Sequence, residues 1–305
     1  MSNPASRLIR WLLPSILVMA LTSANAQIRV VTTLTDLGSI AKFVGGDHVD
    51  VFSIATGYQN PHFVDPKPSY ILKLARADVF VTVGLDLEIG WVPPLLNSAR
   101  NAKIQKGGDG YCDASIGIPL LNVPVSASRE QGDIHIYGNP HYWLDPLNGK
   151  IIAKNIFDAL VRVDPDHRSA YEANLKSFES TIDAKTKEWI EKVRPFAGTK
   201  VIAYHDEWPY FEQRFGLRIM DFLEPKPGIP PTPSQLLKVI NEMKRDHMKV
   251  IIISPYFTTE SADLVARSTG GKVLTLATSV AAYSQIKTYF DLFDYDIRQI
   301  TDALR

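Results

Sequence analysis

Three of the seven histidines sit in contexts suited to holding a metal ion. His62 lies in Asn60-Pro61-His62-Phe63-Val64-Asp65-Pro66 and His141 in Asn139-Pro140-His141-Tyr142-Trp143-Leu144-Asp145-Pro146, two segments that echo each other. The proline before each histidine fixes the local backbone direction, and the Asp-Pro after it ends the turn and can open a helix. His205 follows the strand-like Val201-Ile202-Ala203-Tyr204 and precedes a segment carrying Trp208, Tyr210 and Phe211. Neutral imidazole is a good ligand for zinc and other late divalent metals, and three of them make most of a tetrahedral site. A histidine beside a proline also serves as an ordinary turn residue, and no helix-borne His-x-x-x-His spacing is present. The pairing of the two Asn-Pro-His segments is what favours ligation.

The elements that must position these residues follow βαβ grammar. Short β-rich runs at Ile28 to Thr33, Val49 to Ile54 and Val79 to Val83 alternate with helical segments at Leu37 to Val44, Ser69 to Ala75 and Ile89 to Ser98. A stretch from Gly107 to Asn139 is rich in Gly, Pro, Ser and Asp, carries little periodicity, and reads as a surface excursion. After Pro146 the period becomes helical, and Ala170, Leu175, Phe178, Ile182, Trp189 and Val193 form one apolar stripe. A helix from about Pro165 to Val193 would run roughly 40 Å, long enough to link two lobes. The α/β grammar then resumes, with strands at Lys200 to Tyr204, Leu217 to Phe222, Val250 to Ile253 and Val273 to Leu276. Two α/β lobes are therefore expected, with boundaries at 27–163 and 196–305 around a linking helix at 164–195. Ligands of such folds bind beyond the carboxyl ends of strands, so the cleft between lobes is the expected site. His62 and His141 would face it from the first lobe and His205 from the second.

The first 26 residues set the compartment. Arg7 and Arg10 precede an apolar run, Trp11 to Leu21, and then Ser23-Ala24-Asn25-Ala26, whose small residues suit signal peptidase. Cleavage after Ala26 would leave Gln27 first in a periplasmic protein, and with no cysteine near that point no lipid anchor is expected there. The single cysteine, Cys112, excludes an intramolecular disulfide and a thiolate cluster. Charge is balanced, with 33 basic and 33 acidic residues, so nothing attracts nucleic acid or an anionic membrane.

Four separated motifs occur in order: Asn-Pro-His-x-x-Asp-Pro-x-Pro-Ser (60–69), Asn-Pro-His-Tyr-Trp-Leu-Asp-Pro (139–146), Tyr-His-Asp-Glu-Trp-Pro-Tyr-Phe-x-x-x-Phe-Gly-Leu (204–217) and Glu-Pro-Lys-Pro-Gly-x-Pro-Pro-Thr-Pro-Ser (224–234). Together they make the chain resemble the zinc/manganese family of substrate-binding proteins of ABC transporters. The resemblance implies two Rossmann-like lobes with mostly parallel sheets, joined by a rigid backbone helix, with the metal in the cleft and little lobe motion. It places the family's three histidine ligands on His62, His141 and His205. It also implies a receptor without catalytic turnover, expected to be a monomer, that delivers its ion to a membrane permease.

The family's usual fourth ligand is a carboxylate in a turn after the penultimate strand, and the matching position here is Ala277, which cannot ligate. A water or another side chain must substitute, and His135 is the preferred protein candidate. Glu207 is expected to orient His205 rather than bind metal. The stretch before the second histidine segment holds His135 alone, where zinc-specific relatives often carry many histidines. A nitrogen-rich set still favours zinc over manganese, which prefers more oxygen. His48, His167 and His247 are expected on the surface, and the aromatics Tyr142, Trp143, Trp208, Tyr210 and Phe211 in the packing around the cleft. The competing reading is a metallohydrolase, with an open three-histidine zinc site and Glu207 as general base.

Overall fold

In a computed structural model, residues 27–124 and 135–305 are described. The expected leader, residues 1–26, lies outside the described residues, as do residues 125–134 of the loop before the second histidine segment.

The first lobe is built from β1 (Ile28–Thr32), α1 (Thr35–Gly45), β2 (Val49–Ser53), α2 (Pro68–Arg76), β3 (Val79–Thr82), α3 (Val92–Ala99) and β4 (Tyr111–Asp113). Then come α4 (Asn148–Val163) and the long α5 (Arg168–Val193). The second lobe comprises β5 (Lys200–Ala203), α6 (Pro209–Phe215), β6 (Arg218–Phe222), α7 (Pro233–Arg245), β7 (Val250–Ile253), α8 (Glu260–Thr269), β8 (Lys272–Thr275) and α9 (Tyr289–Leu304). Each lobe holds a four-stranded sheet, ordered β2-β1-β3-β4 and β6-β5-β7-β8. All six strand pairings are parallel. Parallel strands covered on both faces read as unbroken apolar runs, and β7 is buried at every residue.

Three elements differ from the sequence reading. Tyr111–Asp113 forms β4, pairing with β3 through Phe80 and Tyr111, inside the stretch read as structureless; a three-residue strand is too short to show alternation. Pro165–His167 is a separate 3-10 turn before α5, because Asp164-Pro165 breaks the helical bonding. The helix after His205, which the sequence places from about Glu207 to Phe215 ahead of Gly216, begins at Pro209, where proline suits the first helical turn. Residues 205–208 therefore stay in a turn.

The stripe on α5 buries Tyr171, Leu175, Phe178, Ile182, Trp189 and Val193. The core it seals is continuous between lobes, running from Val31 and Phe80 through Phe178 and Trp189 to Val201 and Phe293. α9, although last in the chain, packs back on α5 and α1, with the Phe290 ring 5.2 Å from Phe178 and 5.8 Å from Phe43. A polar seam runs beside this core. Thr35 Oγ1 donates to the Val280 carbonyl at 2.6 Å, the Asp36 carboxylate accepts from the Val280 N–H at 3.0 Å, and the Tyr289 N–H donates to Ser39 Oγ at 2.9 Å.

Burial pushes the Asp36 carboxyl up from 3.8 to about 7. Below the ordinary carboxyl value both folded and unfolded chains hold this proton; between there and pH 7 only the folded chain does, so the group costs stability progressively as pH rises and fully above pH 7. Asp36→Asn, which keeps the acceptor for Val280, is expected to raise the melting temperature at pH 8 by up to roughly 4 kcal/mol worth of stability, with the gain vanishing near pH 4. Thermal melts across that range check it: equal gain at both pH values would refute the assignment.

Candidate metal centre

The three histidines of the sequence reading meet at the carboxyl ends of the two sheets. His62 lies in the loop after β2, His141 in the segment after β4, and His205 two residues after β5. In each sheet the strand order turns outward in both directions from the first strand, β1 or β5, and crevices form at such switch points.

The echoing segments share one local device. Asn60 Oδ1 accepts from the His62 N–H at 3.0 Å, and Asn139 Oδ1 from the His141 N–H at 3.0 Å, an Asx turn in each case. Asn139 Oδ1 also lies 3.0 Å from His141 Nδ1, and its Nδ2 donates to the Asp206 carbonyl at 2.7 Å. The first segment is pinned by the Trp91 indole, which donates to the Pro61 carbonyl at 3.0 Å. The second is clasped by the opposite lobe. Arg214 binds both oxygens of buried Asp145 at 2.8 Å each, Trp143 donates to the Thr278 carbonyl at 2.8 Å, and Tyr289 donates to the Trp143 carbonyl at 2.5 Å. Tyr142, Trp143, Trp208, Tyr210 and Phe211 are all core residues, as expected.

His62, His141 and His205 form the one group of three or more potential ligands among the described residues, with donor atoms all within 4.8 Å of one another. The Nε2 atoms of His62 and His141 are 3.1 Å apart. Two nitrogens on a tetrahedral zinc, at about 2.05 Å from the ion, would be separated by about 3.3 Å. The His205 ring stands nearly perpendicular to both, at 80° and 81°. The arrangement therefore suits a small late divalent ion with little rearrangement.

His135 stands beside this trio but not within it, its ring centre 5.0 Å from that of His62 and 6.4 Å from that of His141. Its Nε2 is buried and has no hydrogen-bond partner among the described residues. A cavity of about 250 Å³ opens here, lined by His135, His141, His205, Asp206, Asn122 and Asn139 among others. Ala277 is fully buried, its N–H donating to Asp296 Oδ1 at 2.8 Å, and offers no ligand.

The carboxylate that orients His205 is Glu224, not Glu207. Glu224 Oε2 accepts from His205 Nδ1 at 2.6 Å. Because residues 205–208 form a turn, with the Glu207 N–H bonded to the His205 carbonyl at 2.9 Å, Glu207 points inward and accepts from the Ser254 and Tyr256 hydroxyls. The sequence reading missed Glu224 as a site residue although it heads the fourth motif, and it missed Asp206. His247 is exposed as expected, whereas His48 and His167 are half-buried and stack at 3.9 Å, with His167 Nδ1 2.7 Å from Asp164.

Comparison with known proteins extends this picture. A profile of the family described as ZnuA, "Zinc-uptake complex component A periplasmic", matches residues 30–303. The chain is 26% identical over 296 residues to the manganese ABC transporter substrate-binding lipoprotein PsaA of Streptococcus anginosus, covering 92% of this chain and 91% of that one. It is 27% identical over 297 residues to the iron ABC transporter substrate-binding lipoprotein MtsA of Streptococcus pyogenes serotype M1, covering 93% and 91%. Among solved structures, a crystal structure of ZnuA superposes with a TM-score of 0.78 at 24% identity, covering 92% of this chain and 100% of that one.

Electrostatics separate the three histidines. Burial, reinforced by the neighbouring imidazoles, holds His62 and His141 well below the usual histidine value. Burial also opposes protonation of His205, but the Glu224 hydrogen bond and the charges of Glu207, Glu224 and Asp206 outweigh it and raise its value. In the metal-free protein, lowering the pH is thus expected to charge His205 first, while His62 and His141 stay neutral. Nitrogen-15 NMR of the ring nitrogens checks the order, and Glu224→Gln is expected to bring the His205 titration down; a His205 indifferent to that change would contradict the assignment.

Proposed function

The chain belongs to the ZnuA family of metal-ion receptors of ABC transporters, and from that premise we propose that it captures zinc on His62, His141 and His205 and passes it to a membrane permease. The observation that carries this reading is the trio itself: three imidazoles from two lobes with their donor atoms within 4.8 Å. Asn139 on His141 and Glu224 on His205 supply the ring hydrogen bonds that fix tautomer and orientation in metal sites. His135 lines the cavity beside the trio and is the protein candidate for the fourth position, with a water as the alternative.

The ion's identity is argued from the donors. Relatives named for manganese and for iron are similar to this chain over nearly its whole length, so overall similarity does not choose the metal. No carboxylate joins the trio among the described residues, and Ala277 brings none. Nitrogen donors favour zinc over manganese, whose preference is for oxygen. The family is one of receptors rather than enzymes, and the hydrolase reading loses its base because both oxygens of Glu207 are engaged by Ser254 and Tyr256.

The same reading places the protein in the periplasm, exported by a leader cleaved after Ala26 and acting as a monomer. Among the described residues no helix is long and apolar enough to cross a membrane. We divide the chain into lobes at 27–163 and 196–305 around the helix at 164–195, with the shared core and the returning α9 holding them to small relative motion.

Zinc titration of metal-stripped protein against a competing chelator is the direct test. His62→Ala, His141→Ala and His205→Ala are each expected to weaken zinc binding by more than about 100-fold, and wild type to prefer zinc over manganese by at least about as much. Unchanged zinc affinity in all three variants would sink the receptor reading, and tighter manganese than zinc would sink the choice of ion.

A further inference from the structure

We propose that Asp206 adds negative charge to the metal centre by holding a water on the ion's fourth position inside the cavity rather than by binding the ion itself. This deepens the reading of His62, His141 and His205 as ligands and rests on it.

Three neutral imidazoles carry none of the counter-charge for the doubly charged cargo, which must come from acids outside the trio, and a buried charge short of counter-charge is expensive. Two other acids near the trio already have short hydrogen bonds. Glu224 is bonded to His205 Nδ1, and Glu207 to Ser254 and Tyr256. Asp206, by contrast, lines the same cavity as His141 and His205. Among the described residues its side chain meets only the amides of Asn122, with Nδ2 3.5 Å from Oδ2, and Asn139, and no cation pairs with it, while its backbone carbonyl is fixed by Asn139.

Position decides between direct and water-mediated action. Asp206 is adjacent in sequence to His205 in a turn, and it is not in the group of donors lying within 4.8 Å of one another. The cavity of about 250 Å³ has ample room for water, each molecule needing about 30 Å³ and two to four polar partners. A water on the fourth position finds them in the ion, the Asp206 carboxylate and the Nε2 of His135, which has no partner among the described residues. An anionic acceptor for such a water also makes it a better ligand, as carboxylates bonded to first ligands do in metal sites generally.

The test uses the full mature chain, with zinc in competition titrations and cobalt(II) as the spectroscopic probe. Asp206→Asn is expected to weaken zinc binding about tenfold while the cobalt visible bands keep their position and intensity, and Asp206→Glu to recover most of the loss. Unchanged zinc affinity in Asp206→Asn overturns the proposal. Altered cobalt bands overturn it in the other direction, since they would make Asp206 a direct ligand, and failure of Asp206→Glu to recover affinity would reduce the residue to a packing role. His62→Ala run alongside keeps the two questions apart: retained zinc affinity there defeats the histidine trio whatever Asp206 does.

Discussion

The bidentate clasp of Arg214 on Asp145 is the contact from which the centre's geometry follows. Asp145 is buried, and a buried carboxylate stripped of its cation costs about 3–5 kcal/mol. That penalty obliges α6 to lie against the 139–146 segment. Once it does, Tyr210 reaches the Asn139 carbonyl at 3.0 Å and Asn139 reaches the Asp206 carbonyl. His141 and His205, borne by different sheets, are thereby set face to edge. Nothing further has to draw the lobes together here, because an ion pair and these two hydrogen bonds already have.

Within that frame the three imidazoles are unequal. His141 is fixed at both its backbone N–H and its ring by one asparagine, His62 by its backbone alone, and His205 by a glutamate. A partner on the far ring nitrogen fixes the tautomer and raises basicity, more so when the partner is charged. His205 is thus the strongest donor of the three and the one most open to competition from protons. Relatives named for different metals are similar to nearly the whole chain, so overall similarity does not distinguish one metal from another.

What could be read from sequence divides along a physical line. His62 and His141 were legible because their environment is local: an asparagine two residues upstream and a proline between produce the same Asx turn wherever they occur. His205 was legible as the end of an apolar strand, and the order of four motifs carried the rest through resemblance. Glu224 was not, because its relation to His205 exists only in the sheet. Ala203 pairs with Phe222 in parallel register, so residues two further along each chain emerge side by side. The partners of Glu207 are hidden in the same way, since Ala203 also registers with Ile252 and places Ser254 alongside. β4 escaped because three residues hold no period, and the stack of His48 on His167 because only packing brings residues 119 apart together.

The return of α9 to the first lobe has a consequence in time. A ribosome makes the chain from its amino end, and early lobes ordinarily fold as they emerge. Here the bond that secures the Trp143 carbonyl comes from Tyr289, and the core between α1 and α5 is capped by Phe290 and Phe293. Until the closing helix arrives, the segment bearing His141 lacks the last of its holds, so the centre is among the final parts of the molecule to be completed.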